Sequence, residues 1–257
     1  MGQDNGENRV IHYISEELLN KTSQRIIVML IGCGGTGSRM LNNLARLNIT
    51  LRGLQRPELY VVAFDPDVVE EHNVGRQLFF PDDVGLFKSE VLIERLNLAY
   101  GLDWLSVPSY YSRTIGDSYS ADIYITCTDN IPSRRLIYNQ MKQNNKYWLD
   151  LGNTKSAGQI FLRYMKYNDH ARQLKSVYEY LKKSINLFNK KDDDGPSCSL
   201  AVALNKQSLF INSILAEYAS IMLYDLLVNY RLDYNGIFID LDRFEISKAP
   251  IRLDRKT

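Results

Sequence analysis

Apolar positions change their period several times along the chain, and each change marks an element. Residues 25–31 form a continuous apolar run rich in β-branched side chains, the pattern of a strand buried on both faces. The run passes into Gly32-Cys33-Gly34-Gly35-Thr36-Gly37 and then into helical spacing at Met40, Leu41, Leu44 and Leu47. A second strand, Leu59–Phe64, ends at Asp65-Pro66-Asp67. Strand, glycine turn, helix and strand make a βαβ unit, for which a right-handed crossover is expected. Ahead of it, residues 1–24 read as an arm closing in a short helix, because Ile11, Ile14, Leu18 and Leu19 recur at helical spacing.

Residues 70–81 are polar and irregular. A helix is expected over 83–100, with Leu86, Val91, Leu92, Ile93, Leu96 and Leu98 as its apolar positions. Strands are expected at 104–108, 122–127, 147–151 and 158–164, with a helix over 133–143. Residues 170–189 are weakly helical and 190–196 form a charged loop. Beyond Cys198, a long helix face is marked by Leu204, Ile211, Leu215, Met222 and Leu226. Segments 236–241 and 243–246 predict a terminal hairpin or paired strands. The expected fold class is α/β, a Rossmann-like sheet with flanking helices. One domain over 25–257 follows the arm of 1–24, with a helical insertion and crossover loop at 165–199.

Composition narrows the function classes. The 257 residues carry 31 basic and 30 acidic side chains, a net charge of +1 that gives no broad case for nucleic acid or an anionic membrane surface. No apolar run approaches the roughly 18 residues of a spanning helix, and the first ten residues lack a signal peptide's apolar stretch. Cys33, Cys127 and Cys198 stand far apart, so neither a disulfide framework nor a paired zinc knuckle is visible. A reducing cytoplasm is the simplest compartment for such a chain.

Glycines 32, 34 and 37 satisfy G-x-G-x-x-G between a buried strand and a helix, the context in which the motif has meaning. Glycine lets the backbone approach phosphate closely, and the helix N-terminus offers N–H groups to an anion. Asp65, at the end of the second strand, is placed to accept from ribose hydroxyls. The competing reading is a glycine turn that only tightens packing. On these residues alone, ATP and NAD are equally well served.

The segment that follows is more specific. Asp65-Pro66-Asp67-Val68-Val69-Glu70-Glu71-His72-Asn73-Val74-Gly75-Arg76-Gln77 matches D-x-D-x-V-x-x-x-N-x-x-R-Q at every fixed position. Lys88 follows Asp82-Asp83-Val84-Gly85, similar to D-x-G-x-x-K. Cys127-Thr128-Asp129-Asn130-Ile131-Pro132-Ser133-Arg134 is similar to C-T-D-N-x-x-x-R, and Asp150-Leu151-Gly152 with Gly158-Gln159 completes the series. Four spaced motifs in this order resemble the adenylating domains of the ThiF/MoeB and ubiquitin-activating family. That resemblance implies an ATP-dependent adenylyltransferase acting on the C-terminal carboxylate of a small ubiquitin-like β-grasp protein. By the same resemblance Gly32, Gly34, Gly35 and Gly37 cradle the nucleotide, and Asp65 takes the ribose with Asp67 beside it. Arg76 and Lys88 hold the phosphates, assisted by Asn73 and Gln77, Asn130 belongs to the nucleotide-binding set, and Asp129 binds Mg²⁺. Carboxylate attack on an α-phosphorus develops charge on phosphate oxygens, which is why cationic side chains recur in such sites. Singly, Arg76 and Lys88 also read as solvated charges and Asp129 as a helix cap.

Pro196-Ser197-Cys198-Ser199 is similar to the P-x-C-T stretch that bears the thioester cysteine in eukaryotic activating enzymes. Cys198 precedes a helix whose dipole favours thiolate, whereas Asp192, Asp193 and Asp194 oppose it. The alternative is a buried packing residue, the reading that also suits Cys33 and Cys127. Absence of two C-x-x-C pairs and of a C-terminal ubiquitin-fold domain resembles the compact ThiF-like proteins of bacterial PRTRC systems. The family implies a homodimer, with Arg9 as the candidate arm residue reaching the partner's triphosphate, and a conjugating-enzyme-like acceptor. Two competing classes are an NAD-dependent oxidoreductase and a non-catalytic module that binds a ubiquitin-like protein.

Overall fold

A computed structural model describes residues 10–21, 25–128, 131–141, 145–164 and 208–251. In chain order the elements are β1 (His12–Tyr13), α1 (Glu16–Leu19), β2 (Ile26–Ile31), α2 (Gly35–Gly53), β3 (Leu59–Phe64), α3 (Lys88–Tyr100) and β4 (Leu105–Val107). They continue as α4 (Arg113–Asp117), β5 (Ile123–Thr126), α5 (Ile131–Met141), β6 (Tyr147–Asn153) and β7 (Ala157–Tyr164). The last are α6 (Ile211–Leu227), β8 (Arg231–Leu232), β9 (Tyr234–Asp240) and β10 (Glu245–Pro250). The insertion and crossover loop expected at 165–199, and Leu204, lie outside the described residues.

The main sheet has the order β10-β9-β7-β6-β5-β2-β3-β4. β4, β3, β2, β5 and β6 run parallel, and β7, β9 and β10 extend the sheet in antiparallel fashion. The chain leaves β2 towards β3 and later returns to β2's other side as β5, so the end of β2 is a topological switch point. Ligands of open α/β sheets bind at such a point.

Period-two alternation divides the core. Val28 and Leu30 of β2, with Val61, Ala63, Ile123 and Ile125, pack beneath α2, α3 and α6 through Met40, Leu44, Leu92, Leu215 and Met222. Met29 and Ile31 face the opposite side, with Val62, Phe64, Tyr124 and Trp148, and meet Tyr111 and Ile137. Among the described residues no helix is long and apolar enough to cross a membrane.

Two expected elements are corrected. α3 begins at Lys88, not near residue 83. Pro81–Asp83 is a short 3-10 turn, and the Asp83 carboxylate accepts from Arg95 of α3 at 2.7 Å. Gly85 at φ +89° breaks any helix between them. Leu86, ahead of the helix, and Leu98, within it, both lie on the surface, Leu98 being 90% exposed. In the arm, the apolar spacing read as helix is divided. His12–Tyr13 pairs with β8, among the described residues of the arm only Glu16–Leu19 is helical behind the Ser15 cap, and Ile11 and Leu19 are exposed.

Close packing seats α2 directly on the end of β2. A Cβ at Gly37 would collide with the Gly32 carbonyl, and one at Gly35 with the Asn212 side chain of α6. Only the bare backbone permits both contacts. Gly37→Ala is therefore expected to lose on the order of 1–3 kcal/mol, the range of core overpacking. Gly34→Ala, whose Cβ meets nothing nearer than 4.0 Å, should lose about 1 kcal/mol or less. Urea denaturation compares them, and equal losses would contradict the packing account.

The arm is held by Tyr147, whose hydroxyl lies 2.9 Å from His12 Nε2 and accepts from the Ser15 amide. Burial pushes the His12 pKa down from 6.5 to about 4. The unfolded chain therefore takes up a proton that the folded chain refuses between those values. Stability should be fully present above about pH 6.5 and decline as pH falls to about 4. Denaturation across this window should show a shallower decline in His12→Gln; an unchanged slope would show that His12 is not the titrating group.

Candidate nucleotide site

The site is built around the first turn of α2. Gly34 is its N-cap with no side-chain cap, and no acidic residue occupies the first turn. First-turn amides have no intrahelical acceptor, so the positive end of the helix faces the loop without a partner from that turn. Of the loop glycines, Gly34 has open space where its Cβ would be, with Gln77 Oε1 the nearest atom at 4.0 Å. Gly35 and Gly37 are consumed by packing; Gly34 keeps a cradle clear.

Asp65 fixes the loop. Its Oδ2 accepts from the Cys33 amide at 2.5 Å and its Oδ1 from the Asp67 amide at 2.9 Å. Burial raises its pKa, opposed by those two amides and by the Lys88 charge. Each oxygen retains capacity to accept a further hydrogen bond, as ribose recognition requires. Asp67 holds Lys88: the amide of Lys88 donates to the Asp67 carbonyl at 2.9 Å, and Nζ lies 3.0 Å from Oδ2. The lysine is buried while the carboxylate is mainly exposed. α3 thus presents a shielded ammonium at its first residue.

Asn73 shapes the turn that carries the next two residues. Its Oδ1 accepts from the Glu70 amide at 3.0 Å, and its carbonyl accepts from the amides of Arg76 and Gln77. Gly75 at φ +82° completes that turn. Residues 76–78 then lie along α2, where the Leu78 amide donates to Ser38 Oγ at 3.4 Å and Arg39 Nη2 to the Arg76 carbonyl at 3.5 Å.

Three buried polar atoms here have no hydrogen-bond partner among the described residues: Arg39 Nε, Gln77 Oε1 and Thr128 Oγ1. Thr128 packs against Gly32 and Gln77 reaches Gly34, so two of the three border the glycine loop. Buried polar groups are ordinarily satisfied. Arg39 and Thr128 offer donors, and the Gln77 amide offers a donor or an acceptor according to which way it is turned. Donors, a bare helix end and an open cradle fit a phosphate-bearing ligand.

The later motifs meet in a clasp. Arg134 of α5 donates to both oxygens of Asp150 on β6, at 2.9 and 2.6 Å. The Thr126 hydroxyl adds a third donor at 2.5 Å and itself accepts from Trp148 Nε1 at 3.0 Å. The pair is nearly buried, Asp150 completely so. It pins both ends of the segment that follows β5. Cys33 sits in the core and Cys127 packs against it, and burial pushes both thiols up, away from thiolate.

The structure thus brings together Gly32, Gly34, Gly35, Gly37, Asp65, Asp67, Asn73, Arg76, Gln77 and Lys88. Asp129, Asn130, Cys198 and Arg9 lie outside the described residues. Among the described residues, no three His, Cys, Asp or Glu side chains form a group able to hold a metal ion. Sequence reading overlooked Arg39, Asn212 and the Arg134–Asp150 clasp. Asn212 accepts from the Thr36 hydroxyl at 2.9 Å, tying α6 to the loop. As one of several polar side chains on α6, Asn212 carried no distinguishing signal.

Comparison with known proteins bears on this geometry. The sequence profile described as ThiF family matches residues 7–256. Ubiquitin-like modifier-activating enzyme 6 of Mus musculus is 31% identical over 159 residues, covering 57% of this chain and 15% of that protein. Ubiquitin-like modifier-activating enzyme 5 of Drosophila virilis is 26% identical over 159 residues, covering 56% of this chain and 38% of that one. The chain thus spans well under half the length of either relative. Among solved structures, E. coli MccB with ATP aligns with a TM-score of 0.62 at 18% identity, over 91% of this chain and 66% of that one. Selenomethionyl PaaA aligns with a TM-score of 0.61 at 15% identity, over 90% and 74% respectively. At such identities the structural likeness is one of fold. The profile match, extending over nearly the whole chain, is the stronger finding: this chain belongs to the ThiF family.

Proposed function

We propose that the chain uses ATP to adenylate the C-terminal carboxylate of a small ubiquitin-like β-grasp protein, and that Cys198 then receives the acyl group. The observation that carries this reading is the open cradle over Gly34, faced by a buried Gln77 Oε1 that has no hydrogen-bond partner among the described residues. ATP supplies an electrophilic α-phosphorus and a pyrophosphate leaving group. Asp65 orients the ribose, and the α2 amides hold the inner phosphate. Lys88, kept in place by Asp67, and Arg76, presented by the Asn73 turn, stabilise charge on the phosphate oxygens. Asn73, Gln77 and Asn130 assist them. Asp129 would hold Mg²⁺, which would supply positive charge to the phosphate oxygens. In the second step the Cys198 sulfur attacks the acyl carbon, its proton is lost, and AMP departs.

Curated relatives named as activating enzymes of ubiquitin-like modifiers support the substrate class, and the MccB–ATP complex supports the cofactor. Resemblance to compact PRTRC proteins points to a bacterial β-grasp partner encoded nearby. A homodimer in which Arg9 reaches the neighbouring site, a conjugating-enzyme-like acceptor and a cytoplasmic setting complete the reading.

Pyrophosphate exchange into ATP is expected only with a partner bearing a free C-terminal carboxylate. Arg76→Ala and Lys88→Ala should each lower exchange by roughly 10²–10³-fold, while shifting thermal melting far less. Large melting losses with normal exchange would make both side chains structural. Asp129→Ala should also depress exchange; undiminished exchange would remove its metal role.

Incubation with partner and ATP should yield a reductant-labile adduct that Cys198→Ala abolishes while pyrophosphate exchange persists. An adduct surviving in Cys198→Ala, or never forming while adenylate accumulates, would assign Cys198 to packing and acyl transfer to an outside nucleophile.

A further inference from the structure

Among the described residues, no carboxylate pairs with the charge of Arg39. It lies one helical turn beyond Gly35 on the same face of α2, and helical side chains lean towards the N-terminus. It therefore leans towards the glycine loop. Its Nη2 touches the Arg76 carbonyl at 3.5 Å, and its Nε is buried without a partner. Burial alone pulls its pKa down, with no carboxylate acting against it. A partly desolvated guanidinium without an anion is unfavourable, and an anionic ligand would remove that penalty.

Contacts along residues 33–39 have an order. Asp65 meets Cys33, Gln77 meets Gly34, and Arg76 meets Arg39. A nucleotide with its ribose at Asp65 and its inner phosphate on the α2 amides would direct its remaining phosphates towards the end marked by Arg39 and Arg76. We propose that Arg39 binds the terminal phosphates of ATP and makes the site select triphosphate over monophosphate. This assignment rests on the adenylating reading of the site and adds a residue to which no family motif points.

The test is calorimetric titration of the full chain with MgATP and with AMP, in wild type, Arg39→Met and Arg39→Lys, beside thermal melts. Arg39→Met should weaken MgATP binding by about tenfold or more, the scale of a lost charge-assisted hydrogen bond. AMP binding should change by less than about twofold on the same scale. Arg39→Lys, which keeps the charge but not the planar fork, should fall between wild type and Arg39→Met, and it carries the comparison if Arg39→Met does not melt cooperatively. Equal weakening of both nucleotides would make Arg39 a prop for the Arg76 turn and overturn the proposal. Unchanged MgATP affinity would overturn it as well, with the adenylating reading intact. A wild type that binds no MgATP would overturn that reading and Arg39's role with it.

Discussion

The site depends on one steric constraint, the approach of the Gly37 backbone to the Gly32 carbonyl. This contact lets α2 start within four residues of the end of β2, with no longer linker between them. First-turn amides therefore emerge at the sheet's switch point, where β3 and β5 diverge on either side of β2. Every other feature of the site is arranged around that end. Asp65 pins the loop from β3, Asn212 pins the helix from α6, and residues 76–78 run along its flank. Removing the close approach would leave these partners facing a displaced helix.

The same frame explains why a shared loop can serve different chemistries. A glycine cradle and a ribose-binding aspartate suit any nucleotide with those parts. In the proposed reading, what departs from a hydride-transfer site is a set of basic residues: Lys88, buried and held by Asp67, Arg76 on its glycine turn, and Arg39, which donates to the Arg76 carbonyl. In the proposed reading these groups answer a polyphosphate whose charge shifts during reaction. Preorganisation matters here, because a donor already in place need not reorganise as charge develops. The buried Arg134–Asp150 pair serves a related end, holding the chain on either side of the segment that contains Asp129.

Much of this was legible in the sequence, for identifiable reasons. The β2–α2–β3 unit declared itself through a change of apolar period across a glycine run, and the parallel strands through continuous apolar stretches. Lys88, which the expected helix over 83–100 held in its second turn, is the first residue of α3. The start of that helix was misplaced, because apolar residues in 83–87 mimic helical spacing and a single left-handed glycine is a weak signal. Leu98 was read as one of the apolar positions of that helix, although its side chain is exposed to solvent. Arg39 escaped notice because an arginine on a helix surface looks solvated until a distant turn folds over it. The Arg134–Asp150 clasp joins residues on separate elements, and neither residue's local pattern names the other.

Hydrogen–deuterium exchange on the wild-type chain, with and without MgATP and with NAD, tests most directly whether this loop is a polyphosphate site. MgATP is expected to slow exchange at the amides of 33–38 and in the segments around Asp65, Arg76 and Lys88, with NAD giving little protection there. Equal protection by NAD, or protection by MgATP confined to other parts of the chain, would contradict the account.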